Sequence, residues 1–145
     1  VSLPCAIASL FGLGRLRPAP GTWGSAVVLP LAWAGPGPSL AAALLFTALG
    51  LWAVSRCAAA RADPGWVVVD EAAGQALALA ALPAGAPLWA VLAAFGLFRL
   101  FDIAKPGPVG WADRQEGALG VMLDDLVAGA LAGGVLLAAA AAGWL

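Results

Sequence analysis

Apolar positions along this chain come in long runs rather than in alternation with polar ones. The opening stretch, VSLPCAIASLFGLGRLRPAPGT, is apolar but broken by Pro and Gly, and it carries Arg15 and Arg17. That pattern predicts an interfacial or re-entrant piece over residues 1–20. A short apolar run over 23–35 contains Pro30 and crosses a bilayer only if tilted or packed inside protein. GPGPS then reads as a turn, and residues 40–55 as a helix of membrane length. A polar break holding Arg56 and Arg61 follows, ending in ADPG. The next apolar runs cover 66–82 and 88–101, separated by the turn PAGAP. Residues 102–117 read as a polar loop, and a last helix is expected from about Leu119 to Leu145. The pattern predicts an all-α, polytopic transmembrane helix bundle of four to five membrane helices. It forms a single domain over 1–145, because no linker or internal repeat divides it.

Composition supports this reading. Of 145 residues, 63% are hydrophobic and 10% charged, against about 25% charged in an ordinary soluble domain. The few charges are also one-sided. With five crossings, the breaks at 35–39 and 83–87 share a face and hold no charge. Arg15, Arg17, Arg56, Arg61, Arg99, Lys105 and Arg114 all fall on the other face, with the acids on or near it. The positive-inside rule makes that face cytoplasmic. Trp23, Trp66 and Trp111 near it, and Trp33 and Trp89 near the opposite face, read as interface anchors. No charged leader precedes an apolar core at the start, so no cleavable signal is expected.

A net charge of −1 gives no basic surface for nucleic acid. Cys5 and Cys57 suggest neither a disulfide framework nor a zinc site. Histidine is absent, which removes every mechanism that needs an imidazole base or ligand. The sequence carries no signature of an oligomeric state.

The chemistry must therefore come from carboxylates and basic side chains. Asp70 and Glu71 lie just inside an apolar helix, where an ionised group is costly and functional by default. Asp124 and Asp125 repeat the pattern at the start of the last helix, where a single acid would satisfy the helix dipole. Arg99, Asp102 and Lys105 recur every three residues, placing them on one face if the helix continues that far. Hard oxygen ligands without His or Cys suit Mg²⁺, Mn²⁺ or Ca²⁺ rather than zinc or copper, with Asp70, Glu71, Asp124 and Asp125 as the metal-holding set. Arg99, Lys105 and Arg114 suit the oxygens of a phosphate. PGTWGS adds Gly21, Thr22, Gly24 and Ser25 at a helix start, where backbone N–H groups can cradle an anion. A divalent cation holding a phosphomonoester, with basic groups around its oxygens, is phosphoryl-transfer chemistry.

Three blocks, FGLGRLRPAPGTWGS, VVVDEAAG and FRLFDIAKPGPVGWADRQEGALGVMLDDLVAG, resemble the phosphatidylglycerophosphatase A family from about residue 10 to about residue 132. The resemblance implies a Mg²⁺-dependent lipid phosphatase of the bacterial inner membrane, acting on an anionic phospholipid at the cytoplasmic face. It implies that Asp70, Glu71, Asp102, Asp124 and Asp125 form the acidic set, with Asp113 in the same block. Arg99, Lys105 and Arg114 form the basic set, and Gly21, Thr22, Gly24 and Ser25 the loop. Two positions depart from the family pattern, Ala118 where a second glycine is expected and Gly107 where a bulkier residue is usual. The competing classes are a small cation or anion transporter and a lipid phosphotransferase. Acids gathered at one end without repeated halves disfavour the first, and the missing DG..AR start disfavours the second.

Overall fold

The computed structural model describes residues 1–145, and all of its regular structure is helical. In chain order the helices are α1 (Leu3–Ala8), α2 (Pro20–Ala26), α3 (Leu31–Ala34), α4 (Pro36–Arg56), α5 (Val69–Leu79), α6 (Leu88–Ala104), α7 (Gly107–Asp113) and α8 (Gly117–Ala141). Two of them, α4 and α8, are long and apolar enough to cross a membrane. α6 has 17 residues and α5 only 11.

Small residues fill much of the interior beside larger ones such as Phe98, Leu79, Leu82 and Met122, while many large apolar residues face outward. Ala72, Ala73, Ala76, Ala90, Ala94, Ala128 and Ala132 are fully or almost fully buried. Leu40, Leu44 and Leu45 on α4, Leu92, Leu100 and Ile103 on α6, and Leu137 on α8 are exposed. Small residues inside let helix backbones approach closely, and large apolar groups outside form the kind of surface that water disfavours.

α5 lies at the centre, against α4, α8, α6 and α2. Its crossing with α8 is backbone against backbone. A Cβ on Gly74 would meet the Asp125 carbonyl, with its carbon at 2.9 Å and Phe98 Cε1 at 2.5 Å. A Cβ on Gly129 would meet the Gly74 carbonyl in turn, with Gly74 Cα at 3.1 Å. The uncharged breaks meet at one end of the molecule, where a Cβ on Gly35 would stand 3.1 Å from that of Ala84.

Several boundaries differ from the sequence expectation. GPGPS is not a turn: Gly35, at φ 105°, makes the bend and Pro36 already begins α4. Proline is tolerated there because a first-turn N–H has no intrahelical partner to lose. The same reason places α7 inside the expected loop 102–117, with Pro106 as its cap and Pro108 in its first turn. The run 23–35 is divided between α2 and α3, with Pro30 at the break. The run 66–82 yields a helix only over Val69–Leu79, because Val68 is held out of helical geometry and donates its N–H to the Ala8 carbonyl at 3.0 Å. Cys5 and Cys57 form a disulfide across 52 residues, contrary to the expectation from their number and spacing. Together with the Val68–Ala8 bond it fastens the N-terminal segment to α4 and α5.

Candidate functional site

Four helices converge on the acids. Asp124 and Asp125 lie beyond the first turn of α8, not at its start as expected, because α8 already begins at Gly117. α5 begins at Val69, so Asp70 and Glu71 occupy its first turn. α8 brings Asp124 and Asp125 beside them, about one turn before the Gly129–Gly74 contact. Asp70, Asp124 and Asp125 are buried, and each offers a carboxylate oxygen within 4.8 Å of the others. Asp124 Oδ1, Asp125 Oδ1 and Glu71 Oε2 are buried with no hydrogen-bond donor. Buried carboxylate oxygens left without donors are costly and call for a compensating cation. An all-oxygen set of this kind fits a hard divalent ion, so this acidic triad could hold a metal.

Glu71 stands slightly apart. Its N–H donates to Asp70 Oδ1 at 3.0 Å, while its carboxylate faces α2. A Cβ on Gly21 would come within 2.7 Å of Glu71 Oε1 and 3.1 Å of both Arg99 terminal nitrogens. Glycine at 21 is thus what allows the start of α2 to lie against this acid–base pair.

α6 continues to Ala104, so the expected stripe forms. Arg99 Nη1 pairs with Asp102 Oδ2, and Lys105, in left-handed geometry at the end of α6, lies 3.9 Å from Asp102 Oδ1. Lys105 Nζ also donates to Asp124 Oδ2 at 2.8 Å and stands 3.4 Å from Asp113 Oδ1. Loss of hydration works against the Lys105 charge, but the Asp124 hydrogen bond and the charges of Asp124, Asp102 and Asp113 outweigh it, so its pKa is raised. The ammonium stays charged throughout the physiological range.

The remaining expected residues divide. Ser25 is buried and donates its hydroxyl to the Gly21 carbonyl at 3.0 Å, within its own helix. Gly24 lets α2 pack on Val68, whose Cβ would lie 2.8 Å from an added Cβ. Gly21 is thus the part of PGTWGS that abuts the acid–base pair, with Gly24 against the stem of Glu71; Thr22 is half-buried. Arg114 is exposed at the end of α7 and pairs with no acid.

Asp63 lies outside the expected set, yet its carboxyl belongs to the same electrostatic neighbourhood. Part of the residue faces solvent, but lost hydration around the carboxyl, followed by the charges of Asp70 and Asp124, pushes its pKa to about 7. The sequence offers only the turn chemistry of ADPG as a signal; Asp63 adopts φ 52° there, a geometry that Asp tolerates.

The family model for phosphatidylglycerophosphatase A matches residues 6–140. The chain belongs to the phosphatidylglycerophosphatase A family. It is thereby an enzyme of a phosphatase family, and the acid–base cluster falls inside the matched region. The chain is 40% identical over 126 residues to phosphatidylglycerophosphatase A of Haemophilus influenzae, covering 81% of this chain and 77% of that one. It is 44% identical over 75 residues to phosphatidylglycerophosphatase A of Escherichia coli, covering 51% and 43%. A Bacteroides thetaiotaomicron protein named as a candidate phosphatidylinositol-3-phosphatase is 40% identical over 139 residues, covering 88% and 87%. No solved structure matches the chain.

Proposed function

We propose that this phosphatidylglycerophosphatase A family member hydrolyses the terminal phosphomonoester of phosphatidylglycerophosphate to phosphatidylglycerol and phosphate, with Mg²⁺, at the cytoplasmic face of a bacterial inner membrane. The observation that carries the reading is the buried Asp70–Asp124–Asp125 triad with donorless oxygens, set against Lys105 and Arg99. Asp70, Asp124 and Asp125 would hold the cation, with Glu71 at its edge toward Gly21. When bound, Mg²⁺ supplies positive charge to the phosphoryl oxygens and lowers the pKa of water. Lys105 and Arg99 bind and orient the phosphate, and Asp102, held between them, acts as a catalytic residue that orients the attacking water or takes its proton. Gly21 lies beside Arg99, and with Thr22 next to it in sequence this loop would receive a further phosphate oxygen; Arg114 is the exposed cation of the set. Water forms the new bond to phosphorus as the bond to the lipid oxygen breaks, and the lipid alcohol leaves with a proton.

The test is phosphate release by purified protein in neutral detergent. Phosphatidylglycerophosphate should be turned over with Mg²⁺, lost on chelation and restored by added Mg²⁺. Isotopically chiral phosphorus should invert, as one in-line displacement requires. Absence of release, indifference to chelation, or retention at phosphorus would each overturn the corresponding part. A higher kcat/KM for phosphatidylinositol 3-phosphate would transfer the assignment to the inositol lipid.

The exposed apolar faces of α4, α6 and α8 support placement in a bilayer. We place the 35–39 and 83–87 breaks on the outer side and the acid-bearing ends inside, with α2–α3, α4, α5, α6 and α8 forming the membrane bundle. In a chain lacking Cys5 and Cys57, Gly37→Cys and Ala84→Cys should label only from outside, and Glu116→Cys only from inside. Labelling of residues 37 and 84 from opposite sides would break this topology.

A further inference from the structure

Beside the acid–base cluster lies a basic cavity of about 510 Å³, which the reaction as described does not use. Arg15, Arg17, Pro20 and Trp66 line it. Both arginines are exposed and pair with no carboxylate. Arg15 is held in place, its guanidinium 5.4 Å from the centroid of the Trp66 ring, a separation at which a cation is attracted to the aromatic face. The wall behind them is fixed: a Cβ on Gly14 would meet the Trp66 carbonyl, with Trp66 Cα at 3.2 Å. The cavity is also close to the reaction centre. Pro20 lines it, and the next residue, about 3.8 Å along the chain, is Gly21, which abuts Glu71 and Arg99.

Two uncompensated guanidinium groups on a preformed wall suit an organic phosphate, which guanidinium recognises through paired hydrogen bonds. Resting on the proposed reaction, the substrate is a lipid with two phosphates joined by a short polyol: a terminal monoester and an internal phosphodiester. The acid–base cluster takes the monoester. We propose that the Arg15–Arg17–Trp66 cavity binds the internal phosphodiester of the lipid substrate, so that the enzyme reads both phosphates at once. A phosphoinositide monoester carries the same diester, so the inference holds for either lipid.

Two sources could supply such a diester, the substrate itself or a neighbouring bilayer phospholipid, and the experiment separates them. Dihexanoyl phosphatidylglycerol, which has the diester and no monoester, is titrated calorimetrically into protein in neutral detergent, alongside inorganic phosphate. The expected result is one saturable site for the soluble lipid, weakened about tenfold or more in Arg15→Gln/Arg17→Gln, with inorganic phosphate binding unchanged. KM for phosphatidylglycerophosphate should rise about tenfold with kcat within about twofold, and Arg15→Lys/Arg17→Lys should recover part of the loss. Unchanged binding of the soluble lipid overturns the proposal. So does an equal loss of inorganic phosphate binding, which would make the arginines part of the reaction centre. Weakened binding of the soluble lipid with an unchanged KM for phosphatidylglycerophosphate would also overturn it, assigning the cavity to a neighbouring bilayer phospholipid. The calorimetric arm needs no turnover, so it is read independently of whether phosphatidylglycerophosphate proves to be the substrate.

Discussion

Asp125→Asn, Asp124→Asn and Asp70→Asn should each lower phosphate release by more than about a hundredfold. Loss of an outer-shell partner of a metal ligand already costs about 10–100-fold, and these three are the ligands the triad would supply. Stability should move the other way. Three carboxylates within 4.8 Å, with oxygens lacking donors, repel one another when no cation is present. At Asp70 and Asp125, which pair with no basic side chain, asparagine removes one charge at nearly constant shape, so these two variants should melt higher than the parent in chelator. Asp124 also anchors Lys105 at 2.8 Å, so Asp124→Asn is read on activity and Mg²⁺ response alone. The parent, but not the variants, should then gain Tm steeply on adding Mg²⁺, as a ligand that binds only the folded state requires. Activity lost with Tm raised in chelator is the signature of a binding site for a cation. Activity and stability lost together would make these acids structural.

Gly74→Ala and Gly129→Ala should both be strongly damaging single-methyl changes. Each added Cβ would fall on the backbone of the facing helix rather than on a side chain that can swing away. Relief requires α5 and α8 to separate, and these helices carry Asp70 on one side and Asp124 and Asp125 on the other. The expected outcome is loss of most activity together with destabilisation of about 1–3 kcal/mol, the usual range for overpacking. Gly134→Ala lies on the same helix as Gly129, with nothing within 4 Å of the new methyl. It should keep activity and gain a few tenths of a kcal/mol to about 1 kcal/mol from helix propensity. Thermal unfolding in detergent beside phosphate release checks both. Equal tolerance at positions 74 and 134 would mean that the crossing does not set the spacing of the acids.

The site is more legible in the sequence than the fold. Charge is so scarce in this chain that Asp70, Glu71, Asp124, Asp125 and the Arg99–Asp102–Lys105 stripe stand out, and the stripe forms because α6 continues to Ala104. α4 and α8 are equally visible as long apolar runs. The shorter elements are not, because in a chain that is 63% hydrophobic an apolar run has the same appearance whether it faces lipid or protein. Where α5 starts within the run from Trp66 to Val69 depends on a distant partner: the Val68 N–H finds Ala8, and no local pattern announces that. Pro36, Pro106 and Pro108 look like breakers, although at a first turn they start helices. The disulfide spans 52 residues, and the Gly74–Gly129 contact joins positions equally remote in the chain, beyond any spacing rule.

The shortness of α5 bears on how the enzyme is made. Its 11 residues rise about 16 Å, roughly half the thickness of a hydrocarbon core, so this segment has little capacity to hold itself in a bilayer. Its principal neighbours are α4, already synthesised, and α8, which is made later. Until α8 arrives, Asp70 and Glu71 have neither Asp124 and Asp125 beside them nor Lys105 anchored by Asp124. Assembly of the acid cluster therefore waits for α8, and a chain ending before Gly117 should release no phosphate from the lipid substrate.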